Sequence, residues 1–83
     1  MGRTGKLKFQ SEPDQLRTLL REIRLEAGLR QVDLAERLNL PQSFVSKYES
    51  GERRLDLIEV RKICRAAGIT LVDFVRRFES TLK

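Results

Sequence analysis

Between Leu16 and Phe78 the apolar residues recur at helical intervals, and Gly28, Asn39, Gly51 and Gly68 cut that pattern into short pieces. No strand-like alternation, internal repeat or low-complexity segment interrupts it. Helices this short are marginal alone in water, because each closes few hydrogen bonds against the entropy of its first turn. They must bury their apolar faces against one another. The spacing therefore predicts an all-α fold, a compact bundle of five short helices.

The boundaries follow from local chemistry. Ser11 is a helix cap, with Pro13 in the first turn and Asp14 three residues on. Leu16, Leu19, Leu20, Ile23 and Ala27 then share one face, and Leu25 points away from it. A second helix is expected over 31–38 with Leu34, Ala35 and Leu38 inward, and a third over 42–50. Asp56 and Glu59 form a capping pair for a fourth, which carries Leu57, Val60, Ile63, Cys64 and Ala67. Thr70 and Asp73 open a fifth with Leu71, Phe74, Val75 and Phe78. Residues 1–10, "MGRTGKLKFQ", are expected to be a flexible basic arm, leaving 11–83 as the folded domain. The arm's "GRTGK" lacks the glycine spacing of a phosphate loop and the Ser or Thr after its lysine.

A chain of 83 residues makes one domain with a core near the lower limit for independent folding. It has no histidine, and one cysteine permits neither an internal disulfide nor a CxxC metal pair. No cofactor or metal is expected. The lone thiol suits a reducing cytosol, and no apolar run approaches transmembrane length or resembles a signal peptide. The net charge is +5, but Arg3, Lys6, Lys8 and Lys83 hold most of it at the two ends. Any attraction to nucleic acid in the folded part must come from the placement of charge rather than its total.

The third helix is where placement becomes informative. At about 100° per residue, Val45, Tyr48 and Glu49 fall on one arc and Gln42, Ser43, Ser46 and Lys47 on the other, with Phe44 at the border. The second arc is a row of amide, hydroxyl and ammonium groups of the kind that bond base edges in a DNA major groove, with Phe44 able to touch a thymine methyl at the rim. Periodicity alone leaves a second reading open, a solvated polar face.

The preceding residues narrow the choice. Ala35 is small where two helices approach closely, Asn39 follows at a turn, and Val45 is a branched anchor on the next helix. That spacing is the one a helix-turn-helix requires. Over roughly residues 15–78, and most specifically in "RQVDLAERLNLPQSFVSKYESGERRLD", the chain resembles the phage repressor and Cro (Xre) family, whose fold is lambda-repressor-like. The resemblance implies that Gln42, Ser43, Ser46 and Lys47 read bases. It implies that Gln31 meets a phosphate and bridges to Gln42, and that Arg53 and Arg54, with Arg30 and Phe44 nearby, lie along the DNA backbone. It also implies a partly buried ion pair between Arg24 and Glu49. Two positions depart from the family pattern. Arg30 stands where a capping Ser, Thr or Asn is usual, so about 1 kcal/mol of capping is lost while a cation is gained beside the phosphate track. Pro41 replaces another common capping hydroxyl, although proline suits the start of a helix.

Cys64 falls among inward residues and reads as a small core hydrophobe. Ile58, Val72, Val75, Phe78 and Leu82 exceed what so small a core can cover, so Ile58, Val72, Val75 and Phe78 are candidates for a two-fold interface. Two recognition helices about 34 Å apart would read a palindrome. The expected function is therefore a cytoplasmic, nucleoid-associated, bacterial or phage-encoded regulator that binds double-stranded DNA as a homodimer and represses transcription. A second class is an antitoxin-type protein that binds a partner protein as well as DNA; few residues flank the bundle to serve that purpose. Enzyme chemistry is disfavoured by the lack of histidine and by carboxylates assigned to caps and the ion pair. Membrane binding is disfavoured because the arm offers only Leu7 and Phe9 to insert. The arm is expected either to be disordered or to follow the minor groove or adjacent phosphates.

Overall fold

Ser11 starts the first helix in the computed structural model, which describes residues 11–82. Its hydroxyl accepts the Asp14 N–H at 3.2 Å and so satisfies a donor that the first helical turn leaves unpaired. Five helices follow: α1 (Glu12–Glu26), α2 (Gln31–Leu38), α3 (Gln42–Ser50), α4 (Leu57–Ala66) and α5 (Leu71–Thr81). The fold is an all-α helix-turn-helix bundle. The expected arm over residues 1–10 lies outside the described residues.

Each later start has its own chemistry. At α4 the Asp56 carboxylate accepts the Glu59 N–H at 2.8 Å, and Glu59 accepts the Asp56 N–H at 3.0 Å, a reciprocal box that satisfies two orphan donors. At α5 the Thr70 hydroxyl accepts the Asp73 N–H at 3.0 Å. At α2 the guanidinium of Arg30 has no acceptor to offer. Asp33 supplies the other half of the exchange, accepting the Arg30 N–H at 2.8 Å.

The turn from α2 to α3 depends on Asn39, whose φ of 60° is the one positive value at a non-glycine residue among those described. With Asn39 left-handed, the Leu40 N–H reaches back to the Ala35 carbonyl at 3.0 Å and closes the end of α2. Gly51 does the same for α3 at φ 89°, a backbone conformation that strains any residue with a side chain. A Cβ at Gly51 would stand 3.0 Å from the Arg17 guanidinium carbon.

The core is drawn from every helix. Leu19, Leu20, Ile23, Leu34, Ala35, Val45, Tyr48, Val60, Ile63, Cys64 and Phe74 are buried, joined by Leu29 from the α1–α2 connection. Complete burial of a leucine such as Leu20 or Leu34 contributes about 2 kcal/mol. α2 and α3 pack against each other most extensively, α1 backs α3, and α4 lies against α1, α2 and α5. Two polar ties add to this packing. Arg37 donates to the Ala66 carbonyl at 2.9 Å, placing a cation at the negative end of α4, and Arg77 of α5 pairs with Glu26 of α1 through two 2.9 Å hydrogen bonds.

Three expected core residues lie outside the core. Leu57 has the right phase but is the first residue of α4, and it is 64% exposed. Ala27, at the opposite kind of end, caps the C-terminus of α1 and is exposed too. Val75 follows the buried Phe74 by one position, about a quarter turn away, and is exposed.

Candidate nucleic-acid interface

Val45 and Tyr48 hold α3 from behind; both are completely buried. Tyr48 also receives the Phe44 ring edge-on, with centroids 5.5 Å apart and planes at 69°. Its hydroxyl is buried with no hydrogen-bond partner among the described residues, and burial pushes the phenol pKa upward. With this back face anchored, Gln42, Ser43 and Lys47 are exposed on the front. Neither the Ser43 hydroxyl nor the Lys47 ammonium is engaged by another side chain among the described residues, so both are free to meet a ligand. Ser46 differs: it is half-buried, and its hydroxyl turns back to the Ser43 carbonyl at 3.3 Å.

Behind the front edge lies a continuous polar junction of three helices. Arg24 of α1 reaches Glu49 of α3 through Nε at 2.7 Å and Nη2 at 3.0 Å, while its Nη1 donates to the Leu29 carbonyl at 2.8 Å. Both side chains of the pair are almost wholly buried. The hydrogen bonds that Arg24 donates to Glu49 hold its pKa above the ordinary value against the opposing effect of burial. Gln31 of α2 donates its Nε2 to the same carboxylate at 3.0 Å. Gln42 in turn donates its Nε2 to the Gln31 Oε1 at 3.3 Å.

The cations around α3 divide into engaged and free. The Arg30 guanidinium, widely exposed, folds onto Asp33 at 2.9 and 2.8 Å and holds that carboxyl down at a pKa of about 2. Arg53 lies 4.7 Å above the Phe44 ring and grips Glu59 at 3.1 and 2.8 Å, which lowers the Glu59 pKa. Its Nη1 also donates to the Arg54 carbonyl at 3.0 Å. Phe44 is thus a half-buried platform for Arg53. The Arg54 guanidinium is exposed and makes no ion pair among the described residues.

Asp33 and the second engagement of Glu59 escape a sequence reading. The spacing of Arg30 and Asp33 carries a signal, since residues three apart on a helix start can exchange side chain and backbone. Nothing local announces that Glu59, already serving as a cap, would reach six residues back to Arg53.

On α4 and α5, Ile58 and Val72 are about 60% exposed and Val75 is less so. Phe78, the fourth of these residues, sits deeper than the other three. It is half-buried, packed on the core and stacked on Phe74 with centroids 6.3 Å apart, so most of its ring area is already covered within the chain. Cys64 is buried as well, which pushes its thiol pKa up to about 11 and leaves it an inert part of the core.

The model of the helix-turn-helix family HTH_3 matches residues 20–74. The chain belongs to the Xre-type helix-turn-helix family. It is 42% identical over 53 residues to an uncharacterized HTH-type transcriptional regulator of Methanothermobacter thermautotrophicus, covering 64% of this chain and 77% of that protein. Among solved structures it is similar to an Xre-family-like protein from Pseudomonas syringae pv. tomato, at 43% identity and a TM-score of 0.80, over 87% of this chain and 88% of the other. It is also similar to the restriction-modification controller protein C.Esp1396I, solved as a tetramer with its natural 35 base-pair operator, at 26% identity and a TM-score of 0.79, over 90% and 100% of the two chains. This Xre-type chain is a DNA-binding transcriptional regulator. None of its described helices is long and apolar enough to cross a membrane.

Proposed function

We propose that this regulator is a sequence-specific repressor that binds a palindromic operator in double-stranded DNA as a homodimer. The observation that carries the reading is the front edge of α3. Gln42, Ser43 and Lys47 are exposed on a helix whose opposite side is locked by Val45, Tyr48 and the buried Arg24–Glu49 pair. Glutamine, serine and lysine at such an edge match the acceptors and donors of the major groove. Lys47 and Arg54 supply uncommitted positive charge for phosphates, and Arg30 and Arg53 add to it when they exchange a carboxylate for a phosphate. Ser46, half-buried, completes the row, its hydroxyl turned back to the Ser43 carbonyl at 3.3 Å. One recognition helix spans too few base pairs for specificity, and the exposed Ile58, Val72 and Val75 offer apolar surface for a second copy. The operator-bound tetramer of C.Esp1396I supports oligomeric binding by this architecture. Repression then follows from occupancy of DNA that polymerase needs.

The test is selection of bound duplexes from a random library at about 100 mM salt, where specific contacts still rise above counterion-driven binding. Enrichment of an inverted repeat that loses definition with Ser43→Ala or Lys47→Ala supports the proposal. Binding without any enriched motif, or no binding at all, refutes it; the latter outcome moves weight to a regulator that acts through a partner protein.

A further inference from the structure

We propose that Glu49 is a positioning residue for base readout: through Gln31 it fixes which end of the Gln42 amide faces the DNA. The proposal rests on the base-reading role of Gln42 given above and adds a residue that never touches DNA.

Donor and acceptor capacity set the direction of every bond in this junction. A carboxylate accepts hydrogen bonds and donates none. Glu49 accepts two from Arg24 and a third from Gln31 at 3.0 Å. Gln31 must therefore turn its NH₂ group toward Glu49, whatever its other surroundings, and its carbonyl oxygen is left facing α3. Gln42 meets that oxygen at 3.3 Å and must donate to it. The chain of bonds has one direction, from Gln42 to Gln31 to Glu49, with Arg24 closing it from the other side. A glutamine side chain on its own has no such preference, since rotation about its last torsion interchanges oxygen and nitrogen at small cost. Once one N–H is committed to Gln31, the Gln42 amide keeps an oxygen acceptor and a second N–H in a set arrangement. That arrangement is the one that pairs bidentately with adenine N6 and N7.

Glu49 is also the partner of a buried arginine, so its removal has a structural effect to be separated from positioning. Two variants divide the roles. Gln31→Met breaks the relay and leaves the Arg24–Glu49 pair intact. Glu49→Gln keeps the shape of the side chain but can donate, which allows the Gln31 and Gln42 amides to reverse. The first readout is the ¹⁵N-edited NMR signal of the Gln42 side-chain NH₂ in the DNA-free protein, at a temperature where each variant is folded. The wild type is expected to show two well-separated amide protons, and both variants to bring them toward the values of a free glutamine. The second is base preference across the selected operator. At the base pair opposite Gln42, both variants are expected to lose discrimination by about tenfold while the other positions keep theirs. The double variant is expected to lose no more than either single one.

A Gln42 amide unmoved in folded Gln31→Met overturns the relay, whatever the DNA data show. A moved amide in Gln31→Met with an unmoved one in folded Glu49→Gln removes Glu49 from it. A uniform loss across all positions in both variants reduces Gln31 and Glu49 to structural parts and also overturns the proposal. If the amides respond as expected while the wild type has no base preference, the relay stands and it is the base-reading function that fails.

Discussion

Arg24 holds Glu49 through two hydrogen bonds of 2.7 and 3.0 Å, and both side chains are nearly inaccessible to water. The pair fastens the far end of α3 to α1, and it is where a single substitution should be felt most. A buried charge that loses its partner keeps the cost of desolvation without the compensating attraction. Glu49→Ala is therefore expected to destabilise the fold by about 3–5 kcal/mol. Glu52→Ala, on the exposed α3–α4 connection, should stay within about 0.5 kcal/mol of the parent chain. Urea unfolding followed by circular dichroism compares the two directly. Equal midpoints would show that the buried pair adds nothing to stability.

Arg53 is paired with Glu59 while it rests on Phe44. Replacing Glu59 by Gln should weaken this hold and release a cation at the edge of α3. Non-specific DNA affinity is expected to rise at low salt, and the slope of log affinity against log salt should steepen by about one phosphate contact. The glutamine can still accept the Asp56 N–H, but the first turn of α4 loses a negative charge, so the melting temperature should fall slightly. Fluorescence anisotropy titrations over a salt series test this. An unchanged slope would mean that Arg53 does not meet phosphate.

Acid should loosen the bundle in a defined window. Asp33 is held at about 2 by Arg30, and Glu26 and Glu59 are lowered by Arg77 and Arg53. Each binds fewer protons in the folded chain than in the unfolded one. Their contributions are thus complete above the ordinary carboxylate range near 4 and disappear as pH falls through the lowered values. Melting temperature should decline from about pH 4 to pH 2, more at low ionic strength than at high. Asp33→Asn should flatten the most acidic part of that curve. A variant with the parental pH dependence would exclude Asp33 as a contributor.

The exposed apolar residues of α4 and α5 make an independent prediction about assembly. Ile58→Lys or Val72→Lys replaces a side chain that is about 60% exposed, so the isolated chain loses little stability. In a homodimer built on these residues, either change buries an unpaired ammonium and should shift the sedimenting species from two chains to one. Operator affinity should fall with it. A parental sedimentation profile in both variants would place the contact between copies elsewhere.

Much of the bundle was legible because its determinants act over a few residues. Ser11, Asp56 and Thr70 accept hydrogen bonds from backbone three positions ahead, and Asn39 and Gly51 take up the left-handed turns that end their helices. Apolar spacing then selects the inward face, as it does for Leu34, Val45 and Ile63. The same reasoning fails at helix ends. Leu57 and Ala27 keep the phase of the core but stand at the terminal positions of their helices and are exposed.

The tertiary structure alone decided how the charged and amide side chains are shared out. Sequence marks the outward row on α3, and the family resemblance points to Arg24 with Glu49 and to Gln31 with Gln42. That one carboxylate joins both pairs depends on where α1, α2 and α3 cross. The engagement of Arg53 by Glu59, and of Arg77 by Glu26 across 51 positions, depends likewise on helix placement and on rotamers of long side chains. Backbone capping and apolar phase are local properties, fixed within one or two helical turns. A long polar side chain has many conformations of similar energy, and only the packed neighbours select among them.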